Sequence, residues 1–236
     1  MKIKNFPLKS LKTPSKTSKT TPGKKWPKIF LKKFINSNNY GFKRCYKNKW
    51  RQLFPPPLFP KNPLLNDVYL VDWFCSGTLW VRSILFFLIT KNPIDFNKIQ
   101  DVVPDIHVSK TISPPFNNSF PRIIKSHDFF NPRYKKVIYI LRDPRDAIIS
   151  FYDFSTKGRG KDIGSLKNFI KGLNGINSWC KHLKGWKDNW DVFLTYENLH
   201  KDCFSEIKKI INYLNLKIPD QEITNAINSA SFSNIK

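Results

Sequence analysis

Three short stretches carry the residue types from which anion chemistry can be built. "VDWFCSGTLWVRSIL" (71–85) reads as the end of a strand, a tight Ser-Gly turn and the start of an apolar helix. Such a turn aims backbone N–H groups at the positive end of a helix, where an anion is stabilised. Gly77 lets the backbone approach that anion closely, and Thr78 adds a hydroxyl. The pattern GxxxxGK[ST] is absent, so this is no Walker A loop. On these residues alone, a phosphate-binding loop and a purely structural turn both remain open. Cys75 stands just before Ser76-Gly77, where an anion site would gain from a cation.

The second stretch is "KSH", in which Lys125 and His127 end an apolar run. On the two-residue period of a strand they share a side, setting an ammonium beside an imidazole. That pair suits a general base next to developing negative charge; the alternative is a surface Lys and a capping His. The third is "LRDPRDAIISFYDF" (141–154). Arg142 leaves a strand at its carboxyl end, and Arg145 sits in the first turn of a helix, where a cation is unfavourable without an anion. Asp143 and Asp146 offer a local ion-pair network, and a bound phosphate is the sharper explanation.

Taken in order, these elements resemble the sulfotransferases that use 3′-phosphoadenosine 5′-phosphosulfate (PAPS). Ser76, Gly77, Thr78 and Trp80 match that family's 5′-phosphosulfate loop, Ser-Gly-Thr-x-Trp. Lys125 and His127 follow, then Arg142 and Ser150, which are similar to the family's 3′-phosphate ligands. "TYENL" (195–199) resembles a motif whose tyrosine, here Tyr196, contacts adenine. "ASFSNIK" (230–236) resembles a later segment, with Phe232 packing on the base. The resemblance runs from about 67 to 236. It implies sulfuryl transfer from PAPS to a hydroxyl or amine of a small-molecule, saccharide or lipid acceptor, with no metal. His127 is then the base and Lys125 the stabiliser of sulfuryl charge. The loop amides of residues 76–80, Leu79 included, hold the 5′-phosphate, and Trp80 stacks on adenine.

Two departures accompany the match. The family's loop lysine is replaced by Cys75, and Trp73-Phe74 stands where Tyr-Pro or Phe-Pro is usual. The sequence also stops at Lys236, before an Arg-Lys-Gly segment that closes the 3′-phosphate site in the family, so a missing lid and weaker nucleotide affinity are expected. The alternative reading is a catalytically impaired nucleotide-binding relative.

The elements that must position these groups alternate. Strands are expected at 67–73, 121–127, 136–142 and 191–196, and helices at 78–90, 143–154, 178–187, 203–215 and from 219. Asp143 at the N-cap and Pro144 at the first position give the second helix a well-motivated start. Alternation of this kind predicts an α/β domain: a parallel β-sheet flanked by helices on both faces, which the resemblance specifies as a P-loop NTPase-like sulfotransferase fold. The expected domain spans 63–236, preceded by a basic, disordered arm and linker over 1–62.

That arm holds no Asp or Glu, since the first acid is Asp67, and it contributes much of a net charge of +24. It suits anionic surfaces, and a nucleic-acid- or membrane-surface-associated protein is a further alternative. Its Lys/Ser/Thr bias resembles an organelle transit peptide, against a default expectation of a cytoplasmic protein. Cys45, Cys75, Cys180 and Cys203 form no CxxC pair, which points away from a metal site and towards a reducing compartment. No apolar run reaches the ~18 residues a membrane span needs.

Overall fold

The computed structural model describes residues 58–231; the expected disordered arm up to residue 57 and Phe232 lie outside it. Four strands form one fully parallel sheet: β1 (Val68–Asp72), β2 (Ile123–Ser126), β3 (Val137–Leu141) and β4 (Val192–Thr195), in the order β2-β1-β3-β4. The chain moves from β1 to one side for β2, then crosses to the other side for β3. The carboxyl ends of β1 and β3 therefore flank a switch point, where the connecting segments diverge and leave a crevice.

Helices cover both faces, as expected. Val68, Leu70, Ile138, Ile140, Val192 and Leu194 point to one face. They pack there against α1 (Thr78–Thr90), α7 (Cys203–Tyr213) and α8 (Asp220–Ser229). Their strand neighbours Tyr69, Val71, Ile124, Val137 and Tyr139 point the opposite way. These meet α3 (Pro144–Asp153) and α5 (Ile176–Trp186). Both faces being buried explains why the strands read as continuous apolar runs rather than alternating ones.

Helix starts follow local chemistry. Asp143 caps α3 by accepting from the Arg145 amide, with Pro144 first in the helix. Its own N–H donates to Glu197 Oε1 at 2.8 Å. That bond ties α3 to α6 (Tyr196–Lys201), a short helix opening directly from β4 that the sequence reading did not include. Also unanticipated were α2 (Ile99–Val102), α4 (Leu166–Lys171) and a π-helical turn over Phe154–Gly158. The edge of the sheet opposite the crevice is clamped by Arg122, whose guanidinium meets the Asp67 carboxylate through two 2.7 Å bonds. Residues 58–62, on the linker side of the expected boundary, are seated on the domain: Leu58 N donates to Asp128 Oδ2, and Asn62 bonds Ile112 O.

Behind β3, His182 of α5 is fully buried, its Nδ1 2.9 Å from the Tyr139 hydroxyl. Burial pushes this imidazole down to about 3, against the opposing pull of Asp72. The unfolded chain therefore binds a proton at this residue below ~6.5, whereas the native chain does not until about 3. Its contribution is complete above ~6.5 and is lost as pH falls, with a slope of up to ~1.4 kcal/mol per pH unit. Urea unfolding followed between pH ~6.5 and ~5 should show that slope in the wild type and a flatter one in His182→Gln; equal slopes would remove His182 as its source.

Candidate active site

The turn after β1 is the centre of the site. Cys75 and Gly77 both have positive φ, 58° and 106°. Gly77 caps α1 with no side-chain bond. Its Trp80 and Val81 amides turn back to the Gly77 carbonyl at 3.0 and 3.3 Å. The amide of Trp80, one of the expected phosphate donors, is thus taken up by the first turn of α1. The N–H groups of Ser76, Gly77, Thr78 and Leu79 receive no acceptor among the described residues. Ser76 Oγ is buried and likewise lacks a partner. Unpaired N–H groups at a helix start beside a buried, unpartnered hydroxyl mark a place where an anion fits. The Leu79 side chain is half exposed and adds only its backbone.

Arg142 closes this turn from the far side of the switch point. Its Nη1 donates to the Cys75 carbonyl at 2.9 Å, its guanidinium lies 4.1 Å from the centre of the Tyr196 ring, and its buried Nε has no partner. Tyr196 opens α6 and lies over the loop so closely that a Cβ on Gly77 would come within 2.6 Å of its ring. Trp80 meets Tyr196 edge-on at 6.4 Å, and His200 packs against both at 4.9 and 4.6 Å. The structure thus gathers Ser76, Gly77, Thr78, Trp80, Arg142 and Tyr196. Ser150 lies on the seventh residue of α3, half-buried.

Lys125 and His127 are both present at the end of β2, each with an acid that sequence reasoning missed. Lys125 Nζ bonds Asp105 Oδ2 at 2.6 Å, and its side chain is only 8% exposed. Its charge still acts on Asp72 and on the Cys75 thiol. His127 Nδ1 sits 2.7 Å from Oδ1 of Asp72, the last residue of β1. The signal was available: a carboxylate ending a strand whose other residues are all apolar and buried. Arg145 differs from the sharper expectation. It folds back on its own N-cap carboxylate, Asp143, with the side chain 78% exposed, so the local ion pair explains it.

Cys75 does not replace a cation. Burial, reinforced by Asp72, pushes its thiol up to about 11, against Arg142, Lys125 and Arg159. It is a neutral thiol near pH 7. Trp73 and Phe74 form an aromatic wall beside His127: Phe74 stacks on Phe151 at 4.4 Å and tilts against the His127 ring at 4.5 Å. Trp73 Nε1 is anchored on Ser178 Oγ at 3.1 Å.

A parallel sheet whose first strand runs into a glycine turn, with an arginine that follows the third strand lying across it, defines an α/β domain with its site at the carboxyl ends of the strands. Its family is the sulfotransferases: the sequence model of the sulfotransferase domain matches residues 65–236, and the chain belongs to that family. Among curated relatives it is 29% identical over 192 residues to sulfotransferase 2B1 of Mus musculus, covering 72% of this chain and 56% of that one. To sulfotransferase 2A2 of Rattus norvegicus it is 30% identical over 191 residues, covering 72% and 67%. The chain thus spans little more than half the length of the first of these. Its fold is similar to that of mouse sulfotransferase SULT7A1 complexed with PAP, with a TM-score of 0.54 at 22% identity over 75% of this chain and 67% of that one.

The closeness of Gly77 and Tyr196 yields a testable coupling. Gly77→Ala should lower the unfolding free energy by about 1–3 kcal/mol through backbone strain and ring displacement. Tyr196→Ala should relieve part of that cost. A double-mutant cycle in urea reads the coupling as a departure from additivity; strictly additive energies would contradict the contact.

Proposed function

We propose that this chain transfers the sulfuryl group of PAPS to a hydroxyl or amine on a small-molecule acceptor, with His127 as general base. The observation that carries the reading is the β1 turn, where the loop N–H groups lack acceptors and two buried side-chain atoms beside them, Ser76 Oγ and Arg142 Nε, lack partners as well. A phosphate-bearing nucleotide supplies acceptors to all of them. Membership of the sulfotransferase family, and the PAP in the fold-similar mouse sulfotransferase, support PAPS and PAP as that nucleotide.

In this reading Ser76, Gly77, Thr78 and Leu79 hold the 5′-phosphate, and Arg142 with Ser150 the 3′-phosphate. Trp80 and Tyr196 hold the adenine, with Phe232 joining from outside the described residues. His127 takes the acceptor proton while the acceptor oxygen or nitrogen bonds sulfur. Lys125 supplies the positive potential for the sulfuryl oxygens, tempered by Asp105. The aromatic wall of Phe74 and Phe151 beside His127 favours a flat, apolar acceptor body over a saccharide or a charged polymer. Among the described residues no helix is long and apolar enough to cross a membrane. A cytoplasmic setting belongs to the same reading.

Cys75 sets the expected rate. One oriented donor missing from the transition state costs on the order of 100- to 1,000-fold. With PAPS and a simple phenol, His127→Ala should lower turnover by about 100- to 10,000-fold, while Cys75→Lys should raise it. Labelled-sulfate transfer measures both. Unchanged rates in the two variants would contradict this assignment of roles.

A further inference from the structure

We propose that Asp72 is the positioning residue of His127, its backbone carbonyl accepting from Nδ1–H and its carboxylate lying against the same ring edge, so that the lone pair of the imidazole is left on Nε2. This rests on the reading of His127 as the base and assigns that base its tautomer.

Geometry fixes the proton. Nδ1 is hydrogen-bonded to the Asp72 backbone oxygen at 3.1 Å and lies 2.7 Å from Asp72 Oδ1, a charge contact outside hydrogen-bond geometry. A carbonyl oxygen and a carboxylate oxygen both accept, so a nitrogen between them must donate. A neutral imidazole has one N–H, and Nε2 is then the basic atom. The opposite arrangement, a protonated Asp72 donating to Nδ1, is disfavoured by the surroundings. Burial pushes the Asp72 carboxyl up, but His127, Lys125 and the Thr78 hydroxyl outweigh it, and the net displacement is downward.

The nearby cations and the second imidazole are engaged elsewhere. Lys125 is held by Asp105 at 2.6 Å. His107 spends its Nε2 accepting the His127 backbone N–H at 3.0 Å, and burial favours its neutral form. Arg82 is committed to the Val103 carbonyl through Nε and Nη2. A fully buried carboxylate costs several kcal/mol unless a cation or donor lies beside it, and for Asp72 the nearest such group is the His127 imidazole.

The step then balances. The acceptor's proton moves to Nε2 as its oxygen or nitrogen bonds sulfur, and the electron pair of the breaking S–O bond leaves with the 5′-phosphate. His127 becomes an imidazolium whose Nδ1–H stays on an Asp72 that remains a carboxylate. The proton is later released to solvent.

The test uses the full chain with nitrogen-15-labelled histidine. There are four histidines, and the spectrum of His127→Gln identifies the signal of interest. The expected wild-type signal is that of Nδ1–H. Asp72→Asn, whose amide can donate to Nδ1, should move the proton to Nε2 and lower kcat by about 100- to 10,000-fold. KM for PAPS and the affinity for 3′,5′-adenosine diphosphate should stay within about two-fold. A wild-type His127 protonated on Nε2 overturns the proposal, as does an Asp72→Asn protein that keeps the wild-type tautomer and kcat. If Asp72→Asn does not fold, the wild-type spectrum decides alone. Absent nucleotide binding or turnover in the wild type would count against the proposed function, whereas the tautomer reads the Asp72–His127 pair in either case.

Discussion

The bond from Arg142 Nη1 to the Cys75 carbonyl turns two neighbouring strand ends into a site. Without it, the segment after β1 is a turn carrying a non-glycine residue at φ 58°, a conformation that costs on the order of 1–3 kcal/mol. A charge-assisted bond to a carbonyl and the stacking of the same guanidinium on Tyr196 are together of comparable size and offset it. The tie also fixes direction: with the Cys75 carbonyl turned to Arg142, the next four amides are left without acceptors. Gly77 then has to be glycine twice over, for its own φ and for the ring above it.

A second constraint is the management of buried charge. Asp72, Lys125 and His127 all end parallel strands, where side chains meet at the crevice rather than in water. Lys125 is paired with Asp105, and the Asp72 carboxylate lies 2.7 Å from His127 Nδ1. Asp105 reaches Lys125 through a bridge that sets the 104–106 segment alongside β2. The loop that joins α2 to β2 is thereby made part of the site. Cys75 adds no charge to this arrangement, and the cation next to it, Lys125, is paired with Asp105.

Much of this was legible in the sequence because it depends on local chemistry. The Asp143-Pro144 start of α3 and the Thr78–Thr90 span of α1 follow from capping and apolar periodicity, and the structure has them at those residues. The parallel sheet followed from alternation. The order of Ser76-Gly77-Thr78, Lys125, His127 and Arg142 identified the family before any geometry was known. The acids were not legible, because Asp72 meets His127 across 55 residues and Asp105 meets Lys125 across 20. Such pairings exist only once strand order is set. Asp72 was absorbed into an apolar strand, although its burial there was itself the clue. Helix α6 is hidden inside a motif read for its tyrosine, and of the two readings open for Arg145 the local ion pair with Asp143 is the one the structure has.

The account depends on the β1 turn holding the 5′-phosphate and Arg142 the 3′-phosphate of an adenine nucleotide. Calorimetric titration of the full chain with 3′,5′-adenosine diphosphate tests this most directly. Saturable binding is expected, weakened by at least about tenfold in Arg142→Ala because a charge-assisted contact is lost. The absence of binding to the wild type at millimolar nucleotide would contradict it.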